Sequence, residues 1–112
     1  MSARIEARLW WAQRLTAALL AFCVAVHLAT IVYAVRGGLT AAEVLARTRG
    51  SVPWAAFYAL FVLAASVHGA IGLRTIAGEW LAWRGRSADG AAALIALGIA
   101  ALGARAIAAV VL

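Results

Sequence analysis

Three long apolar stretches constrain this chain more than any other feature. They run from about Leu15 to Val35, from about Trp54 to Ile76, and from about Ala91 to Leu112, the last broken only by Arg105. Each exceeds the roughly 20 residues that an α-helix needs to cross a bilayer. In hydrocarbon every backbone polar group has to be satisfied within its own segment, which a helix does. The fold class that follows is an all-α membrane protein. Three transmembrane helices form part of a helical bundle, in a single domain over residues 1–112. Helix I is expected over about 10–36, helix II over about 53–82 and helix III over about 89–112. The first stretch reads as a retained helix. Its apolar core is longer than that of a signal peptide, and no small-x-small site precedes a polar mature sequence.

Composition excludes the soluble alternative. Apolar residues make up 67 % of the chain and charged residues 12 %, more apolar surface than a soluble domain of this length could hide. A net charge of +6 invites a nucleic-acid reading, but all ten basic residues are arginine and most flank the apolar runs. That is how membrane proteins set topology, and nucleic acid is not an expected partner. Arg4, Arg8, Arg14, Arg74, Arg84 and Arg86 fall on one side, Arg36, Arg47, Arg49 and Arg105 on the other. The bias places the N-terminus in the cytoplasm. The single cysteine, Cys23, allows no intrachain disulfide, and no Cys-x-x-Cys-His run is present for covalent haem attachment.

Local signals sharpen the boundaries. Trp10, Trp11, Trp80 and Trp83 mark one membrane face, and Trp54 with Tyr33 and Tyr58 marks the other. Thr40 and Glu43 form a capping box that predicts a short surface helix from about Ala41 to Thr48, stopped by Gly50. Pro53 suits the first turn of helix II.

Polar groups inside a bilayer need a reason. Only two histidines are present, His27 and His68, and both fall within spans. At 100° per residue, Gln13, Thr16, Leu20, Cys23 and Thr30 share the His27 stripe. Trp54, Phe57, Phe61, Ala64, Ala65, Gly72, Thr75 and Glu79 share the His68 face. Two readings fit: imidazoles that ligate haem iron, or histidines with structural or proton-handling work. The small residues beside His68 leave room for a porphyrin, or let helices approach closely. Two imidazoles on two helices meet the needs of a bis-histidine haem b, and Arg14 and Arg74 are candidates to neutralise its propionates. His27 lies about 24 Å from the Trp11 level and His68 about 18 Å from Trp80. The histidines are therefore expected at different depths, about 6 Å apart, a difference that helix tilt could absorb.

His68-Gly69-Ala70-Ile71-Gly72-Leu73-Arg74, followed by Glu79-Trp80, resembles the second helix of the succinate dehydrogenase and fumarate reductase membrane anchors. Glu79 and Trp80 stand where those anchors carry Asp-Tyr. Gln13-Arg14-Leu15-Thr16-Ala17 resembles the family's His-Arg-x-Ser-Gly, with Thr for Ser and Ala for Gly. His27 resembles the additional histidine of the two-haem anchors. The resemblance covers roughly residues 10–82.

It implies a haem b-binding anchor that passes electrons between iron–sulfur centres and membrane quinone, without catalysing the carboxylate chemistry itself. The iron ligands would be His27 and His68. The quinone contacts would be Arg14, Thr16, Glu79 and Trp80. One or two haems would be held per assembly. The implied partners are a flavoprotein and an iron–sulfur subunit on the cytoplasmic face of a bacterial inner membrane. A second copy of the chain or an unlike anchor subunit would complete the bundle. A haem-free quinone-site anchor, or an unrelated small membrane assembly or transport subunit in which Arg105 matters, are the alternatives.

Overall fold

A computed structural model describes residues 2–112. Four helices follow in order: α1 Ala3–Gly37, α2 Ala41–Thr48, α3 Val52–Trp80 and α4 Arg86–Val111. The described residues contain no strand. The helices α1, α3 and α4 are long and apolar enough to cross a membrane, and α2 lies in the first connection. The three spans run up, down and up, with α3 packed against both α1 and α4.

Helix α1 starts earlier than its apolar core. The Ser2 hydroxyl accepts from the Ile5 N–H at 3.3 Å and opens the helix. At 35 residues, α1 is about 52 Å long, so its charged first turns project beyond a hydrocarbon layer of about 30 Å. Gly38 ends it at φ +127°, a backbone conformation that glycine tolerates. A Cβ there would also collide with the Glu43 carboxylate.

The capping box on α2 is complete. The Glu43 N–H donates to the Thr40 hydroxyl at 3.2 Å, and the Thr40 N–H and hydroxyl donate to the Glu43 carboxylate at 2.9 and 2.8 Å. These donors hold the Glu43 carboxyl below its ordinary pKa, with Arg47 adding in the same direction. Because the folded pKa is depressed, this stabilisation is full above the unfolded value and is lost as pH falls through the folded one. We expect hydrogen exchange at the first amides of α2 to accelerate only below the usual carboxylate range. Thr40→Ala should produce the same acceleration at neutral pH; exchange unchanged by either perturbation would contradict this account of the cap.

Helix α2 also closes the end of α4. The Thr48 hydroxyl donates to the Val110 carbonyl at 2.7 Å and the Gly50 N–H donates to the Val111 carbonyl at 2.6 Å. Two carbonyls left open by the helix end are thereby satisfied without water. The Arg47 guanidinium donates to the Gly38 carbonyl at 2.8 Å and lies over the Tyr33 ring, which ties α2 to the end of α1.

Small residues carry the contacts between spans. Ala64, Ala70, Gly78 and Ala88 are buried. A Cβ on Gly103 would meet Val62 Cγ1 at 2.5 Å, and one on Gly69 would meet Ile99 at 3.3 Å. Close backbone approach of this kind drives helix association in lipid, where no hydrophobic force acts between helices. Near the N-terminal end of α4, Arg74 pairs with Asp89 at 2.6 Å. Large apolar side chains such as Phe22, Leu63, Leu94 and Leu102 point outward. Surfaces of that kind suit lipid or neighbouring subunits.

Candidate functional site

Both histidines project from the α1–α3 pair, and three contacts set its antiparallel register. Gln13 lies against Gly72, Thr16 meets His68, and His27 meets Tyr58. His27 stands eleven residues beyond Thr16 on α1. The two imidazoles are therefore separated by about 16 Å along the helices. No single iron can take both from one chain.

His68 is oriented from α1. The buried Thr16 hydroxyl donates to the Ala12 carbonyl at 2.7 Å, and His68 Nδ1 lies 3.3 Å from the same oxygen. With the hydroxyl proton directed at Ala12, Nδ1–H donates to Thr16 in the tautomer that leaves Nε2 basic, the one a metal ligand requires. Nε2 makes no hydrogen bond to any described residue. The spaces beside His68 are used for packing: a Cβ on Gly72 would meet the Gln13 amide at 3.2 Å, and Gly69 faces Ile99.

His27 sits in different surroundings. Its Nδ1 lies 3.4 Å from the Tyr58 hydroxyl, and the Tyr58 and Phe61 rings meet it edge-on. A cavity of about 690 Å³ opens beside it, with Phe61, Val62, Ala65, Leu102 and Gly103 among its walls. A second cleft of about 710 Å³ runs from His27 past Tyr33 to Arg47 and Trp54. The volume falls in the range of sites for small molecules and cofactors.

The other residues singled out in the sequence are spread over the N-terminal end of the bundle. Arg14 lies over the Trp10 ring at 4.8 Å, on the outside of α1. Arg74 is engaged by Asp89. Glu79 lines a polar pocket of about 500 Å³ with Glu6, Arg74, Thr75, Arg84 and Asp89. Trp80 is 81 % exposed. Thr16 is buried deeper, and the level of Glu79 lies eleven residues beyond His68, about 16 Å away. Arg14, Thr16, Glu79 and Trp80 therefore do not converge on one spot within the chain. Arg105 is exposed on α4, and the described residues hold no cluster of three or more His, Cys, Asp or Glu side chains.

Two residues gain importance from the structure. Tyr58 was legible only as an interface aromatic, although a tyrosine hydroxyl inside an apolar segment always needs a partner. Gln13 was legible as part of the polar stripe. Its Oε1 is buried with no hydrogen-bond partner.

A family model described as succinate dehydrogenase/fumarate reductase transmembrane subunit matches residues 1–107. No curated protein and no solved structure matches the chain.

Proposed function

The chain belongs to the succinate dehydrogenase/fumarate reductase transmembrane subunit family, and on that premise we propose that it is a haem b-binding anchor that carries electrons between iron–sulfur centres and membrane quinone. The observation that carries the reading is the Thr16–His68 pair. A buried hydroxyl that orients an imidazole through Nδ1, and leaves Nε2 free, is the arrangement that holds a haem ligand.

The residues fit the group at two places. His68 would hold iron on its half-exposed side, because the spaces beside Gly69 and Gly72 are filled from within the chain. His27 would hold iron at the mouth of its cavity, with Tyr58 on Nδ1. When bound, haem supplies one-electron transfer at each depth. The protein's own part is to orient the two rings, exclude water with Phe61 and the α4 side chains, and keep both Nδ1 atoms occupied.

With one histidine at each depth, a bis-histidine haem would draw its other imidazole from outside this chain: from a second copy, His27 with His27 and His68 with His68, or from an unlike anchor subunit. The flavoprotein and iron–sulfur subunits dock at the end that carries Glu79 and the α3–α4 turn, on the cytoplasmic side of a bacterial inner membrane. Arg14 and Arg74 lie near enough to that end to serve propionates, Arg74 by exchanging Asp89 for them. A haem-free quinone anchor is the second reading, favoured by the filled spaces beside His68.

The test is genetic and biochemical. A tagged chain should purify with a flavoprotein and an iron–sulfur subunit, and its deletion should release succinate-oxidising activity from the membrane. Activity that stays membrane-bound and quinone-linked without the chain would overturn the reading.

A further inference from the structure

We infer that the outward face of α4 around Arg105 docks a transmembrane helix of an unlike subunit, which brings an aspartate or glutamate to the depth of Arg105. Neither haem nor quinone takes part in this contact. Arg105 is exposed on α4, and among the described residues it forms no ion pair and no hydrogen bond. Gly103, two residues earlier, faces Val62 on α3. Two residues turn a helix by about 200°, so Arg105 leaves α4 on the side away from α3. An arginine turned toward hydrocarbon is costly, and inside a membrane such a charge is paired or faces a path.

Snorkelling to the near surface is the ordinary escape for such a charge. Geometry opposes it here. The Gly50 N–H donates to the Val111 carbonyl, which puts the surface connection at that level. Arg105 stands six residues before Val111, about 9 Å along the helix. Every helical Cα–Cβ bond tilts toward the N-terminus of its helix. The near surface lies at the C-terminal end of α4, so the Arg105 side chain starts out toward the bilayer middle. A lipid phosphate at the surface lies in the opposite direction, whereas a carboxylate within the membrane meets the guanidinium where it is.

A second copy of the chain does not supply that carboxylate. The four acidic residues are Glu6, Glu43, Glu79 and Asp89. Glu6, Glu79 and Asp89 line the polar pocket at the other end of the bundle, and the Glu43 carboxylate accepts from Thr40 in the cap of α2. A copy in the same orientation would set Arg105 level with Arg105. The face is also shaped for a helix. Gly98 lies two turns from Arg105 on the same stripe, and a Cβ there would meet nothing within 4 Å. Leu94, Leu97 and Leu102 stand exposed around it. Helices associate in lipid where a small residue admits the neighbouring backbone. A helix seated on Gly98 would carry its carboxylate two turns along to Arg105, which can donate two parallel N–H groups to it.

The test is photo-crosslinking in membranes that hold the whole assembly, with a benzoylphenylalanine in place of Leu97. We expect an adduct that mass spectrometry places in an apolar segment of a different polypeptide, with an Asp or Glu about two turns from the point of attachment. Arg105→Leu should lower its yield about tenfold while the chain still inserts, because leucine suits lipid better than arginine. Arg105→Lys should keep most of the yield. Arg105→Glu combined with a lysine at the partner's carboxylate should restore it, which a merely structural role of Arg105 would not do. An adduct with lipid alone, an adduct with a second copy of the chain, or no adduct would overturn the inference. So would a yield that Arg105→Leu leaves unchanged.

Discussion

Gly103→Ala is expected to destabilise the bundle by about 2 kcal/mol, because it forces a methyl group into a packed contact. The added carbon would lie 2.5 and 2.6 Å from the two Val62 methyl groups. Valine is stiff at χ1, so neither methyl can turn away and α4 has to move off α3. Unfolding of the purified protein in mixed micelles, followed by helical circular dichroism, measures the loss. Val62→Ala in the same chain should restore most of it, since the double change removes the obstructing methyls. Equal losses in the single and double variants would contradict the packing account. The contact also bears on function, because Val62 and Gly103 both line the cavity beside His27. Separating α4 should therefore weaken the haem at His27 before that at His68.

His68→Ala is expected to abolish the haem signal that belongs to its depth while the chain still inserts. Thr16→Val is the more telling partner, as it keeps shape and leaves His68 in place. It removes the oxygen that lies 3.3 Å from Nδ1. Loss of such an orienting partner costs about ten- to a hundredfold in metal affinity. Titration of haem into the purified apoprotein checks both variants. His27→Ala should leave the His68 site filled, because the two rings stand at separate levels of the helix pair. Loss of all haem in either single histidine variant would contradict two independent sites.

The spans were legible because a 20-residue apolar run has few alternatives, and Thr40, Glu43 and Pro53 announced the short helix and the start of α3. The first turns of α1 were not. Residues 3–9 are mostly good helix formers, but Arg4, Glu6 and Arg8 alternate with their apolar residues, so hydropathy passes over them, and the Ser2 cap shows only in three dimensions. The two polar stripes were legible from helical period alone. Their mutual register was not. Measuring depth from Trp11 and Trp80 treated the two as level, which gave a separation of about 6 Å. In the structure Trp80 lies nearer the level of Ile5, six residues from Trp11, which adds about 9 Å. Interfacial tryptophans tolerate a broad zone, so they mark a face of the membrane better than a level within it. What fills the space at Gly72 was also beyond a one-dimensional reading. Only the register brings Gln13 there, and with it the unpaired Oε1.

The most direct test of the central claim is a reduced-minus-oxidised optical spectrum of the purified assembly, with haem counted per chain. A b-type α-band with about one haem per chain, from paired copies that each bring two ligands, is the predicted result. About half a haem per chain would contradict separate sites at His27 and His68, and a spectrum without haem would contradict the ligand roles of both.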